Sequence, residues 1–319
     1  MNLITIGSKF LDDAIVYNSG KLHNKLRVVG ISPFSISDCS FGCIPEISYE
    51  KKMFNIECDG NLEDKINNTD YDYIVFDFLM ASSHIYECTQ NGKVKYFTKS
   101  NCFETKKDIL SEKNKFIINK EIDPILLNDE EIKKKVQFLC EYLKKFIPKE
   151  KIILISWSIP YQYVYENKIV NDEFDKVFKY NLLIKKCETY FKMFYDCLII
   201  DMPEKLLRIS DSIYGNSICF TDCCKEFLAQ SFLAINNKEK KKNLYDIYNE
   251  SHKSYISTCI QNETFVLKNF VGEYRDCYGN YINSKSKCEI VVNGSNSKVY
   301  IDEVVADRLK IMLYDNCLV

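Results

Sequence analysis

Glycine and proline are scarce, at 10 and 6 of 319 residues. That scarcity excludes collagen-like and Pro/Gly-rich low-complexity chains. Neither charge sign dominates: 43 Lys and Arg stand against 45 Asp and Glu, a formal net charge of -2. Such a balance creates no global field for nucleic acid or an anionic membrane, so neither is expected as a partner. No apolar run approaches the roughly 18 residues of a spanning helix, so no membrane span is expected. The start, Met1-Asn2-Leu3-Ile4-Thr5-Ile6-Gly7, has no basic stretch and no long apolar stretch, and does not read as a secretory signal. The phosphate-cradling patterns Gly-x-Gly-x-x-Gly and Gly-x-x-x-x-Gly-Lys are both absent. Their absence argues against a nucleotide-dependent enzyme built on those loops, and no cofactor is expected. Histidine is rare too: His23, His84 and His252 are all there are.

What is present is a globular composition, 46% hydrophobic and 13% aromatic. The length suits one large domain or a domain with an appendage. The 15 cysteines are odd in number and spread along the chain. A disulfide framework belongs more naturally to a small secreted domain, so the thiols are read as reduced and the location as cytoplasmic. Cys39 with Cys43, and Cys219 with Cys223 and Cys224, are the only close groups that invite a metal. No Cys-x-x-Cys pair exists and no histidine stands at ligand spacing, so no metal site is expected and the cysteines read as small apolar residues.

Apolar runs alternate with helical periodicity. Leu3 to Ile6 reads as a buried strand ending at Gly7-Ser8, and Phe10 to Tyr17 as a helix. Leu26 to Ile31 is a second strand, stopped by Ser32-Pro33. A short helix is expected over Asn61 to Asn67, and a strand, apolar on both faces, over Tyr71 to Phe78. Lys106 to Asn119 looks partly helical. Asp129 to Phe146 is a strongly amphipathic helix, with Ile132, Val136, Leu139, Cys140, Leu143 and Phe146 on one face. Lys151 to Trp157 and Cys197 to Asp201 are further buried strands, separated by a long helix over Phe174 to Phe194. Thr221 is placed to cap a helix running through Ala234, and Asn243 to Cys259 is a later helical stretch. Nearer the C-terminus, Glu289 to Val292, Lys298 to Ile301 and Leu309 to Asn316 are short strands with turn residues between them. Their spacing resembles the first rungs of a parallel β-helix, and equally a small β meander.

The expected fold class is α/β: a three-layer sandwich with a mainly parallel sheet over residues 1–237. A helical connection and a small β-rich appendage follow over 238–319, with the boundary in the polar run 236–242. Ligands of such sheets sit outside the carboxyl ends of the strands. Gly7-Ser8, Asp77, Ser156-Trp157 and Asp201-Met202 all fall at those ends.

Ser8 is the sharpest candidate. A serine between a strand and a helix N-terminus can act as a nucleophile, or simply cap the helix. At this point the chain resembles a bacterial family of SGNH-hydrolase-like proteins associated with surface-polysaccharide loci, whose motif begins Gly-Ser-Cys-x-Ser-Arg-Asp. Gly7, Ser8 and Asp13 match it, whereas Lys9, Leu11 and Asp12 depart from it. Val28 to Ser35, Tyr73 to Phe78, Thr98-Lys99-Ser100, Ile153 to Pro160 and Tyr180 to Leu183 are similar to later blocks in the same order. The family's aromatic-His-Tyr stretch, which would supply the base, corresponds here to Cys219 to Phe227, with Thr221 where the histidine would stand.

The resemblance implies an SGNH/flavodoxin-like sandwich and a serine esterase or acyl transferase acting on a cell-surface polysaccharide or its precursor. The alternative is a non-catalytic relative that binds glycans or assists polysaccharide biosynthesis. In the enzyme reading Ser8 attacks, His84, a few residues past the Asp77 strand end, could reach the edge as the base, and Asp222 or Asp211 orients a base, with Asp13 retained from the motif. The Ser8 N–H and the Gly30 to Ser32 turn would supply oxyanion donors. Gly7 and Asp77 would line the edge, and Trp157 and Tyr161, with Tyr163 and Tyr165, would line a sugar groove, a half-buried strand edge being the plainer alternative. The partner is a glycan or an acylated sugar precursor; the oligomeric state is left open.

Overall fold

The computed structural model describes residues 1–18, 20–36, 61–99, 117–165, 168–172, 174–203, 209, 220–235 and 243–253, and the backbone of five short strands between 264 and 300. The elements in chain order are β1 (Asn2–Gly7), α1 (Lys9–Tyr17), β2 (His23–Val29), α2 (Leu62–Asn67), β3 (Tyr73–Phe76), β4 (Ile85–Gln90), β5 (Lys93–Thr98) and β6 (Ile117–Ile122). After them come α3 (Asp129–Leu143), β7 (Ile152–Ser156), β8 (Gln162–Tyr165), β9 (Lys168–Asn171), α4 (Phe174–Phe194), β10 (Leu198–Asp201) and α5 (Asp222–Leu233).

Five strands form one parallel sheet in the order β10-β7-β3-β1-β2. The inner strands are buried end to end: Leu3 to Ile6, Ile74 to Phe76 and Ile152 to Ile155 have essentially no exposure. Helices flank the sheet, α1 against α5 and α3 against α4. The arrangement is compatible with a three-layer sandwich. From β1 the chain goes outward to β2, then returns past β1 to β3 and proceeds to β7 and β10. The direction of winding therefore reverses between β1 and β3, the point at which open α/β sheets present a crevice.

Local chemistry accounts for the helices that support this edge. α3 begins in a capping box: Glu131 N–H donates to Asn128 Oδ1 at 3.0 Å, and Asn128 N–H to Glu131 Oε2 at 2.9 Å. Its apolar stripe, Ile132, Val136, Leu139, Cys140 and Leu143, is buried as the periodicity predicts. Helical geometry stops at Leu143 rather than Phe146, and a turn carries the chain to Pro148. Tyr190 of α4 donates to Asp129 at the start of α3, and Lys186 pairs with the same carboxylate at 3.0 Å, tying the two helices together.

A further difference from the sequence-based expectation lies before α3. Residues 117–119, expected at the end of a partly helical stretch, lie in β6. That strand pairs antiparallel with β4, which also pairs with β5, forming a three-stranded insert between β3 and α3. Asn91 and Gly92, with φ of 51° and 76°, make the β4–β5 turn. Asn-Gly is the strongest short-range hairpin signal, and it marks this turn in the sequence. Of the two alternatives for the C-terminal strands, the pairing fits the meander. Thr264–Leu267, Glu289–Asn293 and Lys298–Tyr300 pair antiparallel, as do Glu273–Arg275 and Tyr281–Asn283, unlike the parallel coils of a β-helix. The expected strand over 309–316 and the expected boundary run 236–242 lie outside the described residues. The helical run 243–253 packs on α5: Phe227 meets the rings of Tyr245 and Tyr248, and Tyr248 belongs to the main core. Among the described residues, no helix is long and apolar enough to cross a membrane.

Candidate functional site at the carboxyl edge

β1 and β3 are neighbours in the sheet and end together, Ile6 opposite Phe76. Gly7-Ser8 and Asp77 therefore leave the sheet side by side at the point where the winding reverses. Ser8 donates its hydroxyl to Asp77 Oδ2 at 2.5 Å and its backbone N–H to Oδ1 at 2.9 Å. Leu79 N–H also donates to Oδ1, at 3.3 Å. Both side chains are closed to solvent. Gly7 permits this close approach. Its φ is +137°, and a Cβ there would lie 3.1 Å from Asp77 Cγ and closer still to Oδ1. Burial drives the Asp77 carboxyl up to about 7, opposed by its hydrogen bonds from Ser8 and Leu79 and assisted by the nearby Glu188 charge.

A second serine–carboxylate pair closes the end of β7. Ser156 Oγ donates to Glu188 Oε2 at 2.7 Å, and Trp157 N–H donates to Glu188 Oε1 at 2.8 Å. Lys185 Nζ reaches Ser156 Oγ at 3.0 Å and Glu188 Oε2 at 3.1 Å. One turn earlier Asn181 brackets Ile159, accepting from its N–H at 2.6 Å and donating to its carbonyl at 2.9 Å. Asn181, Lys185 and Glu188 share one face of α4 at i, i+4 and i+7 and hold the chain as it leaves β7. Glu188 and Lys185 carry no motif. The sequence signal for Glu188 is a carboxylate inside the buried stripe Val177, Ile184, Cys187 and Phe191, where an acid survives only if paired.

Gly30, with φ of +84°, donates its N–H to Gly7 O at 2.9 Å, and Ser32 N–H donates to Thr98 Oγ1 at 2.7 Å. Together with the Ser8 N–H, which goes to Asp77, these backbone donors expected for an oxyanion are engaged within the protein. Thr98, at the end of β5, also meets Ser35 Oγ at 3.2 Å, so the insert is stitched to the turn after β2. Trp157 is wholly buried, stacked on Phe220 at 5.0 Å and edge-on to Phe10 at 5.0 Å. The expected stacking on sugar is corrected accordingly, because no face of the ring reaches solvent. Tyr161 is half-buried in the segment leaving β7, and its carbonyl accepts from Asp172 N–H at 2.7 Å.

None of the three histidines is paired with Ser8. His84 Nδ1 lies 2.6 Å from Glu121 Oε1, and its Nε2 3.7 Å from Asp123 Oδ2, so both ring nitrogens face carboxylates of the insert and the segment after it. These contacts correct the expectation that it serves Ser8. Lys99 joins the pair and, with His84, holds the Glu121 carboxyl down at about 2. His23 pairs with Asn2 at the amino end of β1, about 20 Å of strand from Ser8. His252 is buried against Tyr248, its Nδ1 3.4 Å from the phenol oxygen.

Asp13 pairs with Lys9 one turn earlier at 2.8 Å, and Asp222 with Lys225 at 2.8 Å on the surface of α5. Neither orients a base; both are partners of a lysine on their own helix. Asp12 pairs with Arg27 at 3.1 Å. Thr221, where the family histidine would stand, is buried beside Cys224 Sγ at 3.3 Å. Asp211, Cys39, Cys43 and Cys219 lie outside the described residues. Burial pushes the thiols of Cys88 and Cys140 up to about 12 and that of Cys197 up to about 11, which suits apolar packing rather than reaction. Among the described residues, no group of three or more histidine, cysteine or acidic side chains is gathered to hold a metal ion.

Chemically, the edge holds a serine in contact with a buried carboxyl near neutrality, and a second serine between a carboxylate and an ammonium. Comparison with protein-family models, with curated proteins and with solved structures finds no match to this chain.

Proposed function

We propose that this protein is a non-hydrolysing, SGNH-like α/β protein that binds a glycan or an acylated sugar precursor at the carboxyl edge of its parallel sheet. One observation carries the non-hydrolytic part. The Ser8 hydroxyl, its N–H, the Gly30 N–H and the Ser32 N–H all have partners inside the protein. An acyl-transfer site needs two or more donors aimed at the developing oxyanion, and a base oriented by a third group. His84 and His252 have partners elsewhere, and His23 stands at the opposite, amino end of the sheet. The half-buried Tyr161 and Tyr163 and the half-exposed Lys185 keep surface beside the end of β7 that a ligand can meet. The glycan itself rests on the resemblance of the sequence blocks.

A second reading, a serine esterase or acyl transferase with Asp77 as the base, is favoured by the 2.5 Å contact between Ser8 and Asp77. Covalent labelling with a fluorophosphonate probe separates the two. The expected result is no labelling of folded wild type between about pH 6 and 9, followed by glycan binding detected by saturation-transfer NMR. Labelling that disappears in Ser8→Ala would overturn the non-hydrolytic reading.

A further inference from the structure

Asp77 is surrounded by groups that suit one protonation state and by an environment that suits the other. Its hydrogen-bond neighbours, Ser8 N–H, Ser8 O–H and Leu79 N–H, are all donors, and a carboxylate is an acceptor only. The rest of its surroundings disfavours charge. The side chain is fully buried. The titratable group that acts on it across the sheet edge is Glu188 of α4, a second carboxylate, and the ammonium of Lys185 is bonded to Glu188. Between β1 and α1 it meets Ser8, and from the turn after β3 the Leu79 amide; neither carries a charge.

We propose that the Ser8–Asp77 pair is a proton switch: protonation of Asp77 reverses the hydrogen bond to Ser8 and releases the serine hydroxyl hydrogen from the carboxylate. With Asp77 ionised, Ser8 O–H donates to Oδ2. With a solvent proton on Oδ2, the acid O–H donates to Ser8 Oγ and the serine hydrogen turns away. Oδ1 accepts from the Ser8 and Leu79 amides in both states, so the backbone frame is unchanged while the donor pattern at the β1/β3 edge alters. No covalent bond is made or broken other than the O–H bonds of that one proton. Burial and the Glu188 charge place the change near neutrality, at about 7. As regulation of ligand binding this rests on the reading of the edge as the ligand site; the switch itself exists in the protein alone.

NMR of the full chain, with the Asp77 carboxyl carbon, Ser8 Cβ and the Ser8 amide followed from about pH 5 to 9, tests it. The expected result is one titration with a midpoint near 7 at all three nuclei. Glu188→Gln removes the second carboxylate and is expected to move the midpoint down; Ser8→Ala removes a hydrogen bond to the ionised form and is expected to move it up. An Asp77 carboxyl signal that stays flat, or Ser8 signals that do not follow it, would refute the switch. Fluorophosphonate labelling is independent of this outcome: it would overturn the non-hydrolytic reading and leave a titrating Asp77 in place.

Discussion

Gly7→Ala is the most direct perturbation of the β1/β3 edge. Gly7 has a φ of +137°, which costs a residue with a Cβ about 1–3 kcal/mol. The added methyl would also lie 3.1 Å from Asp77 Cγ and nearer to Oδ1. That neighbour is not the free end of a flexible chain. Asp77 is held by three hydrogen bonds and has no room to retreat. Displacing it loses at least one hydrogen bond to a charged or acidic group, about 1.5–3 kcal/mol. The expected loss is therefore about 2.5–6 kcal/mol, out of a total that is commonly about 5–15 kcal/mol. Urea unfolding followed by the fluorescence of Trp157, the single tryptophan and fully buried, measures it. Gly20→Ala is the control: a Cβ on Gly20 would meet nothing within 4 Å, so a change within about 0.5 kcal/mol is expected. A loss under about 1 kcal/mol in Gly7→Ala, with the Ser8 amide shift unchanged, would show that the methyl and the carboxyl coexist and would refute the packing argument.

Because the Asp77 carboxyl is raised to about 7 in the folded state, its contribution to stability is greatest below about pH 4 and falls as pH rises to about 7, by on the order of 4 kcal/mol. Asp77→Asn imitates the neutral acid, so the difference in stability between variant and wild type should shift in the variant's favour across that window; chemical unfolding at several pH values that shows a constant difference would count against it. Trp157→Ala should cost about 3–5 kcal/mol by opening a cavity against Phe10 and Phe220. Trp157→Phe should cost much less, since it also removes an indole N–H that has no hydrogen-bond partner among the described residues. Equal losses in the two variants, measured by circular dichroism during denaturation, would contradict this.

Much of the scaffold is legible in the order of residues. Buried parallel strands need unbroken apolar runs, and Leu3 to Ile6, Ile74 to Phe76 and Ile152 to Ile155 supply them. The capping chemistry of Asn128 and the stripe of α3 are equally local. The insert is harder to read although Asn91-Gly92 announces its hairpin, because β4 to β6 are half-exposed and lack a long apolar run. Gly7, Ser8 and Asp77 are marked as edge residues by their positions at strand ends. Their relationship is not readable there, because Ser8 and Asp77 are 69 residues apart and meet only where the order of strands brings β1 beside β3.

Local pattern and composition thus set the alternation of strand and helix, the positions at which strands end, and the poverty of histidine that limits any conventional triad. What each edge residue does was settled only by the packed fold: Asp77 takes the Ser8 hydroxyl, Glu188 closes the end of β7, Trp157 is sealed against Phe10 and Phe220, and His84 belongs to the insert. The reason is that a hydrogen bond between distant residues depends on strand order and burial, and neither is encoded in the spacing of the residues along the chain.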